Sequence, residues 1–140
     1  MKDIHSVGII MDGNRRWATA RGLHAWDGHR AGVEALKRVR NELPRLEEKY
    51  SITHITLYAF STENWSRSKE EKDALFAIFK ETLEEFLAAD ENFVFKIIGE
   101  TERLPRAVQK RAHELEQKTA SHTGGVITLA LSYGGRAEIL

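Results

Sequence analysis

The chain has 140 residues, of which 41% are hydrophobic and 30% are charged, and it contains no cysteine. This length and composition are typical of one globular domain with a hydrophobic core. The 21 basic and 21 acidic residues give a formal net charge of zero. No global field therefore favours nucleic acid, so any anion binding must be local. The lack of cysteine excludes disulfides, cysteine-based zinc sites and thiol nucleophiles.

The first predicted element is a short apolar strand, Val7–Met11, of the kind that is buried on both faces. It ends abruptly in the polar segment Asp12–Trp17, with the sequence DGNRRW. Ligands of open α/β sheets bind outside the carboxyl ends of the strands. Gly13 lets the backbone approach a ligand closely, and the arginines can bind phosphate in a bidentate way. Asp12 can hold Mg²⁺, which usually bridges to substrate phosphates, so the segment predicts a pyrophosphate-and-metal site.

Helices and strands alternate along the rest of the chain. The predicted helices are Ala31–Leu46, Lys69–Ala89 and Leu104–Thr119, followed by the first turn of another helix at Ala137–Leu140. The predicted strands are Ile52–Phe60, Asn92–Gly99 and Val126–Tyr133. Pro44 leaves open whether the first helix is interrupted there, and Ser68 is the expected N-cap of the second. The alternation predicts a single α/β domain, residues 1–140, with a mostly parallel sheet and helices on both faces.

The helix Lys69–Ala89 carries an unusually broad apolar stripe. Its members are Leu75, Phe76, Phe79, Leu83, Phe86 and Leu87. The spacing favours ordinary core packing, and the alternative is that part of the stripe lines an apolar cavity or tunnel.

Three polar clusters follow three predicted strand ends: Asp12–Trp17, Ser61–Arg67 and Tyr133–Arg136. In a parallel sheet these ends lie along one rim. Arg15, Arg16, Arg30 and Arg67 are among the arginines that lie in or near these clusters. Together, the clusters favour an anion-binding site.

Each residue of these clusters also has a local structural explanation. Asp12 followed by glycine forms a favourable turn pair, and Asn64 can cap its own loop. Trp17 and Trp65 can be packing aromatics. Only their occurrence together makes the anion site the preferred interpretation.

Several common catalytic motifs are absent from the sequence. It has no G-x-x-x-x-G-K-[ST], G-x-G-x-x-G, G-x-S-x-G or H-E-x-x-H pattern. Among the six histidines, His29 is the preferred site residue. It lies in the segment Gly28–Gly32, where a helix is expected to begin beside an arginine, and such a helix N-terminus favours anions.

Five sequence blocks together resemble one known family, the cis-prenyltransferases (isoprenyl transferases) of the undecaprenyl diphosphate synthase type. The blocks occur in the family's order and with its spacing. They are Ile9–Ala18 (IIMDGNRRWA), Gly28–Gly32 (GHRAG), Ile55–Arg67 (ITLYAFSTENWSR), Ile97–Glu100 (IIGE) and Leu129–Ile139 (LALSYGGRAEI).

The resemblance implies a reaction in which isopentenyl diphosphate is condensed with an allylic diphosphate to make a cis-polyprenyl diphosphate. It also implies Mg²⁺ as the cofactor and a hydrophobic tunnel for the growing chain. A homodimer, or a heteromer with a full-length relative, is the expected assembly, and no nucleic-acid partner is expected. The expected location is the cytoplasm, with peripheral membrane association because the product is membrane-associated.

The resemblance also implies individual residue roles. Asp12 is the expected catalytic and Mg²⁺-associated aspartate, and Asn64 is the expected proton acceptor. The expected substrate-binding residues are Gly13, Asn14, Arg15, Arg16, Trp17, His29, Ser61, Thr62, Glu63, Trp65 and Arg67.

Two departures from the family pattern affect these expectations. Ala25 stands where relatives usually carry an arginine, so one pyrophosphate contact is lost unless Arg21 replaces it. The family's later Arg-Thr-Ser-Gly-Glu-like block is absent, which predicts a domain shortened at its C-terminal side and lacking the last strands. The alternative function is therefore a non-catalytic allylic-diphosphate-binding subunit, a partner subunit or a truncated fragment.

Overall fold

A computed structural model describes residues 5–140, which form a four-stranded parallel sheet in the order β1-β2-β4-β3. The strands are β1 (Ser6–Ile10), β2 (His54–Ser61), β3 (Val94–Ile98) and β4 (Val126–Tyr133). The helices are α1 (Asn14–Thr19), α2 (Ala25–Tyr50), α3 (Lys69–Ala88), α4 (Arg106–Thr119) and α5 (Gly135–Ile139). The predicted parallel α/β architecture is confirmed. Ser68 caps α3 as expected, because its hydroxyl accepts the Glu71 backbone N–H at 3.2 Å.

The helix α2 is longer than the sequence analysis predicts. It begins at Ala25 rather than Ala31, because the Asp27 carboxylate accepts the His24 backbone N–H at 3.0 Å and so caps the helix start. The helix also continues through Pro44 to Tyr50. A proline removes one helical N–H, and here the neighbouring Leu43 is completely buried, so tertiary packing holds the helix together.

The core lies on one face of the sheet. Ile55 of β2 is in register with Ile127 of β4, and Leu57 is in register with Leu129. All four side chains are buried in one cluster with apolar residues of α2, α3 and α4. Their alternation along the strands follows the two-residue period of a sheet with one buried face.

The edge strand β3 is covered by α4. The Thr119 hydroxyl accepts the Phe95 backbone N–H at 3.0 Å, and the Glu116 carboxylate accepts the Ile97 N–H at 2.7 Å. These bonds satisfy strand amides that would otherwise be unpaired at the sheet edge. At the opposite edge, β1 pairs with β2 alone among the described strands.

The second face of the sheet is covered less than the prediction of helices on both faces implies. In the described part of the chain, Gly8, Ile10 and Lys96 on this face are exposed, and Ile10 keeps 75% of its accessible surface. The helices α2 and α3 both follow the other face, and α4 is held along the β3 edge instead. Among residues 5–140, no helix is both long enough and apolar enough to cross a membrane.

Candidate active site

A cavity of about 840 Å³ opens where the carboxyl ends of β1 and β2 lie side by side. Its outer wall is polar, and its inner wall is formed by apolar residues of α2, α3 and β2. The predicted site residues that line it are Asp12, Gly13, Asn14, Arg15, Arg16, His29, Ser61, Glu63, Asn64 and Arg67. The structure thus brings together most of the residues that the sequence analysis selects.

The Asp12 carboxylate stands at the mouth of this cavity. One oxygen accepts the Gly13 backbone N–H at 2.6 Å, and the other faces the Arg16 guanidinium at 3.2 Å. The Gly13 hydrogen bond, followed by the charge of Arg16, lowers the pKa of Asp12 below its usual value. Gly13 has φ = +90°, a conformation that favours glycine. Asp12 is therefore an ionised, exposed carboxylate at neutral pH.

Residues 14–19, most of which belong to the polar segment after β1, form the short helix α1. A Cβ atom at Gly28 would lie 2.1 Å from the Asn14 carbonyl oxygen, and one at Gly32 would lie 2.4 Å from the Asn14 amide nitrogen. These two glycines therefore let α1 pack directly on α2. The close approach holds Arg15 and Arg16 beside the cavity.

Glu71, in the first turn of α3, is the centre of a charged cluster that the sequence analysis missed. Its Oε1 atom lies 3.2 Å from His29 Nε2, 3.4 Å from an Arg67 guanidinium nitrogen and 3.7 Å from Arg15 Nε. The Glu71 side chain is only 13% exposed. The sequence carries only part of the signal, because Arg67 and Glu71 are four residues apart, whereas Arg15 and His29 come from other elements.

The position of His29 corrects one expectation. It lies in the second turn of α2, not at the helix N-terminus, because the helix begins at Ala25. Its side chain is 9% exposed. Burial is the main influence on its pKa, which lies below the usual value although the hydrogen bond to Glu71 opposes the shift. The interaction that positions the His29 side chain is thus its hydrogen bond to Glu71, and the N-terminus of α2 is one turn away.

Asn64 has the local capping role and also lines the cavity. Its side-chain oxygen accepts the Ser61 N–H at 3.1 Å, while the Ser61 hydroxyl accepts the Asn64 N–H at 3.2 Å. This reciprocal pair fixes the single 3₁₀ turn Thr62–Ser66 that follows β2. The capping role of Asn64 therefore does not exclude a role for its side chain at the cavity.

Three predicted site residues, Trp17, Thr62 and Trp65, do not line the cavity. The Trp65 ring packs edge-on against Phe60, and its indole N–H donates to the Ser132 hydroxyl at 2.9 Å. This gives Trp65 the packing role that the sequence analysis kept as an alternative.

The proposed replacement for the missing arginine is also absent from the cavity. The Arg21 guanidinium lies 4.4 Å from the centre of the Trp17 ring, and Arg21 does not line the cavity. It therefore does not replace the arginine that relatives usually carry at the position of Ala25. Arg30 pairs with Glu81 at 3.0 Å on the surface of α2 and α3 and does not line the cavity either.

The third polar cluster, Tyr133–Arg136, follows β4 on the same rim but does not line the cavity. The Tyr58 hydroxyl donates to the Tyr133 carbonyl at 3.0 Å. A Cβ atom at Gly134 would lie 2.8 Å from the Thr62 hydroxyl oxygen. This cluster therefore packs against the end of β2 and the segment that follows it, which carries Ser61, Glu63 and Asn64 of the cavity wall.

The apolar stripe of α3 has both of its predicted roles. Of the stripe, Leu75 and Phe79 line the cavity, where Ile78 joins them, and Leu75 is also buried. A smaller, almost entirely apolar cavity of about 40 Å³ lies deeper, and Phe79 borders both. The apolar side of the rim cavity therefore adjoins a second, smaller apolar space in the interior.

The donor set fits a Mg²⁺ ion that is shared with a diphosphate. Within residues 5–140, no group of three or more histidine or acidic side chains is arranged to hold a metal ion. Mg²⁺ is commonly bound by one or two carboxylates together with substrate phosphates, and Asp12 can supply one such carboxylate.

The sequence also matches known proteins over nearly its whole length. Residues 10–140 match the family model described as "Putative undecaprenyl diphosphate synthase". Dehydrodolichyl diphosphate synthase 2 of Arabidopsis thaliana is 44% identical over 136 residues, which are 96% of this chain and 43% of the relative. An isoprenyl transferase of Heliobacterium mobile is also 44% identical, with 96% of this chain and 51% of the relative covered. The chain spans about half the length of the curated relatives it matches.

Two solved structures share the fold. Lavandulyl diphosphate synthase from Lavandula x intermedia, in complex with dimethylallyl diphosphate, matches with a TM-score of 0.84 and 32% identity. The match covers 96% of this chain and 57% of that structure. A probable undecaprenyl diphosphate synthase from Campylobacter jejuni matches with a TM-score of 0.77 and 31% identity, covering 99% of this chain and 59% of that structure.

Proposed function

Because the chain belongs to the undecaprenyl diphosphate synthase family, we propose that its cavity binds an allylic diphosphate for prenyl transfer. The proposed reaction condenses that diphosphate with isopentenyl diphosphate to give a cis-polyprenyl diphosphate. One observation carries this proposal: a cavity lined by two carboxylates, three arginines and a histidine has apolar side chains of α2, α3 and β2 as its inner wall. This pairing matches a ligand with a diphosphate at one end and a hydrocarbon at the other.

The diphosphate is proposed to bind between α1 and the start of α3. Arg15, Arg16 and Arg67 supply guanidinium groups, and such groups stabilise the charge that grows on a departing pyrophosphate. His29 Nε2 faces Glu71, so His29 can donate to the diphosphate where the diphosphate displaces that carboxylate. Arg15 and Arg67 face the Glu71 carboxylate in the structure, so a bound diphosphate competes with Glu71 for them.

Asp12 is the proposed Mg²⁺ ligand, with the remaining positions filled by the diphosphate. When bound, Mg²⁺ neutralises charge on the diphosphate and so assists its departure. The hydrogen bond from Gly13 holds the Asp12 carboxylate ionised and fixed in orientation at the cavity mouth.

Asn64 is the proposed proton acceptor. It lines the same cavity, and its side-chain oxygen has a second lone pair besides the one that accepts the Ser61 N–H. The apolar inner wall keeps water away from an allylic cation, which a wet site would quench.

A second candidate is a non-catalytic subunit that binds an allylic diphosphate and works with a longer relative. The described residues form the cavity that is proposed to bind the allylic diphosphate, and the matched relatives are about twice as long. A homodimer or such a heteromer is the proposed assembly.

Two measurements on the 140-residue chain separate these candidates. The first is calorimetric titration with farnesyl diphosphate and Mg²⁺, and the second is incorporation of radiolabelled isopentenyl diphosphate into a longer product. We expect binding, with little elongation by the chain alone. Robust elongation would exclude the binding-only candidate, and no heat of binding would contradict both.

A further inference from the structure

The corner where α1 turns into α2, residues 13–26 (the α1–α2 corner), presents large apolar side chains to solvent. Trp17, Leu23 and Trp26 keep between 39% and 45% of their accessible surface. A single exposed apolar residue is ordinary, but two tryptophans and a leucine within ten residues are a concentration that marks an interaction site. Trp17 is also a predicted site residue for which the cavity provides no role.

The α1–α2 corner is strongly basic in a chain that has no net charge. It contains Arg15, Arg16 and Arg21 and no acidic residue, so its formal charge is +3, whereas that of the whole chain is zero. The acids nearest in sequence, Asp12 and Asp27, stand just outside its two boundaries. All three arginines are exposed. The corner therefore complements an anionic surface.

Each exposed indole of the corner is paired with a polar side chain of the turn between the two helices. The Arg21 guanidinium carbon lies 4.4 Å from the centre of the Trp17 ring, and a terminal nitrogen donates to the Trp17 carbonyl at 3.2 Å. The His24 ring stacks on Trp26, with ring centres 4.2 Å apart and planes 12° apart. Tryptophan beside basic groups suits the membrane–water interface, where the ring enters the headgroup boundary and the charges stay among the lipid phosphates.

The α1–α2 corner also forms one side of the mouth of the large cavity at the sheet rim. Arg15, Arg16, Thr19 and Ala20 belong to the corner and line that cavity. The proposed ligand of the cavity has a hydrocarbon end, and hydrocarbon partitions from water into a bilayer. Exposed aromatics and arginines are also typical of surfaces that bind single-stranded nucleic acid. The aliphatic Leu23 and the adjoining prenyl-diphosphate cavity favour lipid instead.

We propose that the α1–α2 corner docks on an anionic lipid surface, with Trp17, Leu23 and Trp26 entering the interface. The preference for lipid over nucleic acid rests on the proposed function. Docking in this orientation turns the mouth of the cavity towards the bilayer, because the same segment forms one of its sides. A prenyl diphosphate can then pass between cavity and bilayer without exposing its hydrocarbon to water.

The first test is flotation of the 140-residue chain with phosphatidylcholine vesicles, with and without phosphatidylglycerol. We expect at least about fivefold tighter binding when phosphatidylglycerol is present, and weaker binding at high salt. Arg21→Gln removes one charge from the corner and should weaken binding about fivefold. Trp26→Ser removes apolar surface from the interface and should weaken it by a similar factor.

The far end of α2 provides matched controls. Trp26 and Tyr50 are 24 residues apart on this helix, or about 36 Å at 1.5 Å per residue, so both ends cannot lie at one interface when the corner docks end-on. Tyr50→Ser removes another exposed aromatic ring, and Arg45→Gln removes another exposed charge. Both control variants should bind vesicles like wild type.

The second test uses brominated lipids, which quench tryptophan fluorescence at short range. The chain has three tryptophans, and in Trp17→Phe/Trp26→Phe only Trp65 remains, packed against Phe60. Phenylalanine keeps the apolar contact, so this double variant should still bind vesicles. Brominated lipid should quench the wild-type emission strongly and that of the double variant little.

Three outcomes would overturn docking by the α1–α2 corner. They are wild-type affinity in both Arg21→Gln and Trp26→Ser, undiminished quenching in the double variant, and binding of a single-stranded oligonucleotide without binding of vesicles. Thermal unfolding checks that each variant folds. Titration with farnesyl diphosphate in the absence of vesicles tests the proposed function separately, and Arg21→Gln should keep the wild-type affinity because Arg21 does not line the cavity.

Discussion

The Nε2 atom of His29 lies 3.2 Å from Oε1 of Glu71, and this single carboxylate oxygen also faces Arg15 and Arg67. Three elements of the fold, α1, α2 and the segment before α3, thus converge on one acidic group. The arrangement keeps the cationic groups near the cavity in the absence of a ligand.

Glu71→Gln should lower the free energy of unfolding by about 1–3 kcal/mol, because it leaves neighbouring cationic donors without their charged partner. Added pyrophosphate replaces that negative charge. We therefore expect pyrophosphate to raise the melting temperature of the variant more than that of wild type. Glu70→Gln, one residue earlier and exposed, is the control and should behave like wild type. An equal or smaller rise in Glu71→Gln would contradict the assignment of the cluster to diphosphate binding.

The buried position of His29 predicts a pH dependence of stability. Its pKa in the folded chain is lowered, chiefly by burial, whereas an unfolded histidine titrates near 6.5. As the pH falls below about 6.5, the unfolded state binds the proton first, so the free energy of unfolding decreases. This contribution is fully present above that pH. Urea denaturation at several pH values should show the decrease in wild type and a smaller one in His29→Gln.

Gly28→Ala tests how α1 is held against α2. The added Cβ would lie 2.1 Å from the Asn14 backbone oxygen, so α1 must move. We expect a loss of about 1–3 kcal/mol in stability and weaker pyrophosphate binding, since Arg15 and Arg16 move with α1. Gly8→Ala, where nothing lies within 4 Å of the added atom, is the matched control. Full pyrophosphate affinity in a folded Gly28→Ala variant would show that α1 does not position the arginines.

Part of the fold and of the candidate site could be predicted from the sequence, and part could not. The strands and the rim were predictable, because apolar runs ending in polar clusters are local signals and parallel strands place their carboxyl ends together. The start of α2 was missed because its cap, Asp27, sits in a segment that looked like part of a loop. Glu71 was missed because its partners come from three separate elements.

The sequence also could not predict that Trp65 lies outside the cavity. Whether an aromatic side chain points to a ligand or to the core depends on the backbone that follows it. Here its N–H is directed to Ser132, a residue 67 positions away.

Ser132→Ala tests the packing role of Trp65. Ser132 is completely buried, and its hydroxyl accepts the Trp65 indole N–H, so its removal leaves a donor without a partner. The expected cost is about 1–3 kcal/mol in thermal or chemical unfolding. Because Trp65 does not line the cavity, the affinity for farnesyl diphosphate should change by less than about threefold, a difference below 1 kcal/mol. A large loss of affinity with little loss of stability would instead favour a direct substrate contact by Trp65.

Asp12 carries the central claim, that the cavity binds a diphosphate together with Mg²⁺. The most direct measurement is the affinity for farnesyl diphosphate with and without Mg²⁺, in wild type, Asp12→Asn and the control Asp73→Asn, which lies on the exposed side of α3. Asparagine keeps an oxygen for the Gly13 N–H but removes the charge. We predict that Mg²⁺ tightens binding at least about tenfold, or about 1.4 kcal/mol, in wild type and the control, and has little effect in Asp12→Asn. The same enhancement by Mg²⁺ in Asp12→Asn as in wild type would contradict the account.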